Sequence, residues 1–206
     1  MNIYLNELCC AFKDVDEKYY STQAFSGNWR ELEPEKRKKY FQHIERNFAY
    51  ELYHQWKIIR TNSVLENGKD ELTLNAEIGK NGIKHKFVSN TVYPDLVLHQ
   101  GQMETEMHKQ IIFVEIKTDP SIDKKKLKKD LCKLEMAVGE SLNYQNAVFV
   151  SINSDYNKLI NNIYNIINDF SEASCNKINL LTKRGNEVIF VSFESIKQQN
   201  SLTKES

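Results

Sequence analysis

Pro94-Asp95-Leu96-Val97-Leu98 and Ile111-Ile112-Phe113-Val114-Glu115-Ile116-Lys117 are two apolar, β-branched runs with a polar segment, Gln100 to Gln110, between them. Such a pair reads as the two strands of a hairpin. Strand side chains alternate between faces, so Ile112, Val114 and Ile116 share one face while Ile111, Phe113, Glu115 and Lys117 share the other. A carboxylate and an ammonium therefore stand at the end of an otherwise apolar strand. A hairpin symmetric about Thr105 sets Asp95 opposite Glu115, Val97 opposite Phe113 and His99 opposite Ile111, which gathers Asp95, Glu115 and Lys117 on one patch.

Two carboxylates held close together repel unless a cation or a shared proton lies between them, and one lysine relieves only part of that repulsion. Hard divalent ions such as Mg²⁺ take oxygen ligands, typically carboxylates completed by water and substrate phosphate, and the patch suits one. Pro94-Asp95 followed, after nineteen intervening residues, by Glu115-Ile116-Lys117 resembles the pattern of the PD-(D/E)XK nuclease superfamily. The resemblance covers Pro34 to Ile152. It implies an αβββαβ restriction-endonuclease-like core, with residues 1–33 as a helical and loop extension, 34–196 as the nuclease-like domain and 197–206 as a polar tail.

Elsewhere the chain is ordinary in ways that exclude other classes. With 206 residues, 40% hydrophobic and 27% charged, it has material for one good core rather than two. Lysine plus arginine equals aspartate plus glutamate at 28 each, so any attraction to nucleic acid must come from a local patch and not from net charge. Met1 to Cys10 lacks a basic region followed by a long apolar run, and no stretch approaches the roughly 20 apolar residues of a membrane span. Cys9, Cys10, Cys132 and Cys175 show neither zinc spacing nor a disulfide framework. These features lead to the expectation of a cytoplasmic protein with no membrane partner.

A short helix is expected over Ile3 to Phe12, and an aromatic, turn-rich segment over Tyr19 to Trp29 with Ser26-Gly27-Asn28 as a breaker. A long helix then starts near Pro34 and is expected to reach about Ile59, with a break near His43. Phe41, Ile44, Phe48, Leu52, Gln55 and Ile59 mark its buried stripe. Glu51 projects among them. It either edges the stripe and pairs with Arg46 or a lysine, or points at the same cation as Asp95 and Glu115, as the resemblance implies for a glutamate on the helix before the sheet. Glu51 and His54 also form a Glu-x-x-His pair, but a di-iron bundle needs two such pairs on four bundled helices. His54 reads as structural or substrate-facing.

Asn62 to Asp70 reads as a loop, Glu71 to Ile78 as a half-buried strand, Gly79 to Gly82 as a turn and Lys84 to Val88 as a short basic edge strand, with a polar hairpin tip at Met103 to His108. Asp119 or Ser121 is the expected cap of a helix running to about Ser141, with Pro120 in its first turn. Leu127, Leu131, Leu134 and Val138 are its core stripe. Lys124, Lys125, Lys128 and Lys129 lie elsewhere around it, forming either a solvated face or one that contacts phosphate. Lys133, further along, stands where the resemblance implies another polar active-site residue or DNA contact. Asn146 to Ile152 is an interior strand, parallel to the Glu115 strand if the helix between them is a right-handed crossover. An amphipathic helix follows over Asp155 to Phe170, then strands at Ile178 to Leu181 and Val188 to Phe193 joined around Arg184-Gly185-Asn186. The expected class is α/β, a mixed sheet flanked by helices.

The functional expectation is a Mg²⁺-dependent nuclease, with Mn²⁺ as substitute, acting on DNA or alternatively RNA, as a homodimer or with a separate recognition partner. The resemblance implies that Asp95 and Glu115 bind the ion, assisted by the Ile116 carbonyl and by Glu51, and that Lys117 acts on the reacting phosphate. A non-catalytic nucleic-acid- or protein-binding module on the same fold is the competing class. A plain surface ion pair of Glu115 and Lys117 is the third reading, and it leaves Asp95 and Glu51 unexplained.

Overall fold

The two apolar runs pair as their alternation requires. A computed structural model describes residues 2–22, 29–68, 71–76, 94–100, 109–140 and 142–202. In chain order it contains α1 (Ile3–Asp14), α2 (Pro34–Asn67), β1 (Thr73–Ala76), β2 (Leu96–His99), β3 (Gln110–Lys117), α3 (Lys124–Val138), β4 (Asn146–Ser151), α4 (Tyr156–Ile167), α5 (Glu172–Lys177), β5 (Ile178–Arg184), β6 (Glu187–Ser192) and α6 (Phe193–Leu202). The strands form one six-stranded mixed sheet in the order β1-β2-β3-β4-β5-β6. β3, β4 and β5 run parallel, as the α3 crossover requires, and the remaining pairs are antiparallel.

Helices cover both faces. Leu96, Leu98, Ile112, Val114 and Ile116 pack with Leu8 and Phe12 of α1 and Phe48, Leu52 and Trp56 of α2. Val97, Phe113 and Phe149 pack with Leu127, Leu131 and Leu134 of α3 and Leu159 and Ile163 of α4. The register matches expectation at Val97 opposite Phe113. It departs at His99, which faces Gln110 and not Ile111. Ile111 is the extra residue of a β-bulge, and this turns it onto the α2 face beside Ile112, not onto the Phe113 face.

α2 is longer than its sequence suggested. It runs unbroken for 34 residues past both His43 and Ile59, because no glycine or proline interrupts it after Pro34. Across the expected break, the His43 and Asn47 side chains are hydrogen-bonded at 3.2 Å. Gly68, at φ 89°, ends the helix, its N–H donating to the Val64 carbonyl. The polar residues 62–67, expected to be a loop, are thus helical. Within the expected stripe, Gln55 and Ile59 are half-buried and Trp56 takes the fully buried place.

α1 docks on α2, which its own sequence did not reveal. Glu7 accepts a hydrogen bond from Arg60 at 3.0 Å in a buried ion pair, and Phe12 meets Phe48 edge to face. α3 begins later than expected. Asp123, not Asp119 or Ser121, is its cap, accepting from the N–H groups of Lys125 and Lys126, while Asp119 closes its own turn by accepting from the Ser121 N–H. α5 and α6 were not foreseen. Phe193 opens α6 instead of ending a strand, and the helix continues past Lys197, whose Nζ donates to the Phe170 carbonyl at 2.8 Å. Ser26-Gly27-Asn28, the Gly79 to Gly82 turn, the Lys84 to Val88 strand, the Met103 to His108 tip and Ser141 lie outside the described residues. Among the described residues no helix is long and apolar enough to cross a membrane.

Candidate active site

The β2/β3 register carries Asp95 and Glu115 to the same end of the sheet. Asp95, one residue before β2, donates its N–H to the Val114 carbonyl at 3.1 Å, and its Oδ2 accepts from the Ile116 N–H at 2.6 Å. Backbone pairing therefore fixes the first carboxylate against the strand that carries the second. Glu115 is 1% exposed. Its Oε2 accepts from Lys133 Nζ at 2.9 Å, and its buried Oε1 has no hydrogen-bond partner among the described residues.

Lys117 ends β3, where side chains from α2 and α3 both reach it. Its Nζ donates to Glu45 Oε1 at 3.1 Å and to the Ile116 carbonyl at 2.9 Å, and lies 3.7 Å from Asp130 Oδ2. Lys133 closes the chain of contacts at 3.4 Å from Asp130 Oδ1. Glu115, Lys133, Asp130, Lys117 and Glu45 thus form a continuous ionic chain, with Asp95 close enough to act on Glu115 and Lys117.

The cluster is short of positive charge. With every group ionised, Glu45, Asp95, Glu115 and Asp130 outnumber Lys117 and Lys133 by two charges, the deficit that one divalent cation or two protons would fill. Burial, and then the Asp95 charge, push the Glu115 carboxyl up to about 8 despite Lys133. Burial likewise raises Asp95 and Glu45, partly opposed by Lys117. Burial alone would lower Lys117, but Glu45, Asp130, Asp95 and Glu115 together hold it above the ordinary lysine range.

Glu51 does not join this cluster. It accepts a hydrogen bond from Gln55 Nε2 at 2.7 Å, one turn along α2. Glu45 stands where Glu51 was expected, and six residues at roughly 100° each put the two about 120° apart around the helix. Glu45 had its own signal: Phe41, Glu45, Phe48 and Leu52 recur at four, three and four, so this carboxylate lies inside the buried stripe. Asp130 was also missed, although it lies three residues after Leu127 and four before Leu134 in the core stripe of α3. It is 6% exposed.

The lysines of α3 divide into two sets. Lys124, Lys125, Lys128 and Lys129 are exposed, as a phosphate-contacting or solvated face requires. Lys133, expected as a further polar active-site residue or a DNA contact, turns inward onto Glu115 and Asp130. His54 is exposed on α2.

In kind, the donor atoms here are those a hard cation takes. Asp95, Glu115, Glu45 and the Ile116 carbonyl offer oxygen alone, and Glu115 Oε1 is a buried acceptor with nothing to accept from. Among the described residues no three His, Cys, Asp or Glu side chains converge in ready ligating geometry; Lys117 occupies the Ile116 carbonyl and Lys133 occupies Glu115 Oε2. The chain matches no family model, no curated protein and no solved structure.

Proposed function

We propose that the protein is a metal-dependent nuclease that hydrolyses phosphodiester bonds in DNA, built on the PD-(D/E)XK plan. The observation that carries the reading is the buried, unpartnered Glu115 Oε1 beside Asp95, in a cluster two positive charges short of balance. The order α2, β1, β2, β3, α3, β4 supports it, since it follows the αβββαβ succession of that superfamily. Asp95, Glu115, the Ile116 carbonyl and Glu45 are the groups that would hold Mg²⁺. When bound, the cation supplies charge neutralisation at the phosphate and acidifies a water molecule.

The side chains divide the remaining work. Lys133 holds Glu115 Oε2 and so leaves Oε1 as the free oxygen. Lys117, kept charged by its carboxylate neighbours, orients the attacking water and stabilises charge that grows on the phosphate in the transition state. Glu45 and Asp130 fix its direction.

The deciding experiment incubates the protein with supercoiled plasmid and with single-stranded DNA, with and without Mg²⁺. Nicking or degradation of at least one substrate is expected only with the metal. Cleavage that persists in EDTA, or binding without cleavage across Mg²⁺ and Mn²⁺, rejects the nuclease reading, the latter outcome in favour of a binding module. The exposed α3 face gives a further expectation: changing Lys125, Lys128 and Lys129 to Glu should weaken DNA binding and flatten its salt dependence with little change in melting temperature. An unaltered salt slope would return those lysines to a purely solvated role.

A further inference from the structure

A recess of about 220 Å³ opens beside Lys117 and Glu45, between the first half of α2 and the segment that leads into α3. Its lining is of two kinds. Phe41, 5% exposed, and the half-buried Ile122 supply apolar surface. Lys38 from α2 and Lys126 from α3 are exposed, and neither side chain has an ion-pair partner among the described residues. The carboxylates that line the recess are engaged: Glu45 with Lys117, Asp119 with Ser121, and Asp123 with the N–H groups that begin α3. The recess therefore combines apolar surface with two unengaged ammonium groups from opposite walls.

Within the recess Lys38, Lys117 and Lys126 balance Glu45, Asp119 and Asp123, and the surplus of cations lies at the helix starts: Lys36, Arg37, Lys38 and Lys39 against Glu35 on α2, and Lys124, Lys125 and Lys126 against the cap Asp123 on α3. A cationic groove with apolar or aromatic patches is how proteins track a single nucleic-acid strand. The recess, at about 220 Å³, is smaller than the roughly 300 Å³ at which drug-sized pockets begin, a scale that suits one nucleotide unit rather than several. Enzymes that enclose a single nucleotide act on single strands or extrude that nucleotide from the duplex.

We propose that this recess seats one unpaired nucleotide of a single DNA strand, whose backbone phosphates lie across Lys38 and Lys126 and whose scissile bond is thereby brought to Lys117. The assignment rests on the nuclease reading for the last step, and on the recess itself for strand choice. Phe41 and Ile122 shelter the base or sugar, which explains why an apolar surface adjoins so highly charged a cluster.

Anisotropy of the metal-free full chain with labelled oligothymidylate and with a blunt duplex of matched length tests it. The strand should bind about tenfold more tightly than the duplex. Lys38→Glu with Lys126→Glu should weaken strand binding about tenfold and make the slope of log affinity against log salt shallower by roughly 1.4, the value for two lost phosphate contacts on a single strand. The melting temperature should be unchanged, because both side chains are exposed. Equal or tighter duplex binding, or a double variant with wild-type affinity and slope, overturns the proposal. Cleavage in Mg²⁺ is read separately. Strand-selective binding with no cutting supports the recess and overturns the nuclease, whereas cutting of duplex by a double variant that binds as wild type overturns the recess and leaves the nuclease standing.

Discussion

Lys117→Ala is expected to lower DNA cleavage by roughly 10²- to 10³-fold while DNA binding and Mn²⁺ binding persist, the usual result of removing one preorganised charge from a reacting centre. The difference between rate and binding follows from where the lysine acts. Its ammonium would meet charge that exists in full only in the transition state, whereas the carboxylates Asp95 and Glu115 would hold the ion in ground and transition states alike. Removal of Lys117 also leaves Glu45 and Asp130 without their shared cation. The melting temperature is therefore measured on the same samples, and Lys117→Met, which keeps the aliphatic stem, is assayed in parallel. A variant that is folded and cleaves at the wild-type rate would remove Lys117 from the mechanism.

Glu115→Gln should have two large effects of opposite kind. Calorimetric Mn²⁺ binding is expected to disappear, because the buried free oxygen of Glu115 is the acceptor on which the cation reading turns. The metal-free protein, in contrast, should gain stability at alkaline pH. Burial and Asp95 push the Glu115 carboxyl up to about 8, so between its ordinary value near 4.5 and that point the folded chain holds a proton the unfolded chain has lost. The stability this group contributes is present below the unfolded value and is lost as pH rises through about 8, an effect on the order of several kcal/mol. Asp95 and Glu45 are shifted in the same direction and add to the fall. Glutamine resembles the protonated acid, so the melting temperature of Glu115→Gln should decline less from pH 5 to pH 9 than that of wild type. Parallel pH profiles, or Mn²⁺ bound equally by both proteins, would dispose of the argument.

Much of the site could be read in the sequence where the governing period is two. The hairpin register followed from the position of the polar segment between two apolar runs, and with it the meeting of Asp95, Glu115 and Lys117 at one sheet end. Helices were harder. Glu45 and Glu51 both neighbour Phe48 on α2, and which of them meets the end of β3 depends on how the helix crosses the sheet. Its docking against α1, through the Glu7 to Arg60 pair, lies outside the helix's own periodicity. Asp130 was legible in principle as a charge inside a leucine stripe, but a lone acid there reads equally well as a surface residue until β3 brings Lys117 to it. The bulge at Ile111 escaped because nothing in an unbroken apolar run marks the residue that slips. α5 is six residues long and polar, too short for helical periodicity to declare itself.

The docking of α1 alters what residues 1–33 are to the molecule. Leu5, Leu8, Ala11 and Phe12 belong to the same buried cluster as Ile112, Val114 and Ile116 of the central strand. Tyr20 extends the join, its backbone carbonyl accepting from Asn153 and its ring lying edge to face on Phe48. A chain begun at Pro34 would uncover the part of the apolar flank that α1 shields and take Glu7 away from Arg60, while retaining every residue assigned to the chemistry. The opening segment is therefore masonry and not annex: trimming it would remove a supporting wall from beneath the helix that carries Glu45.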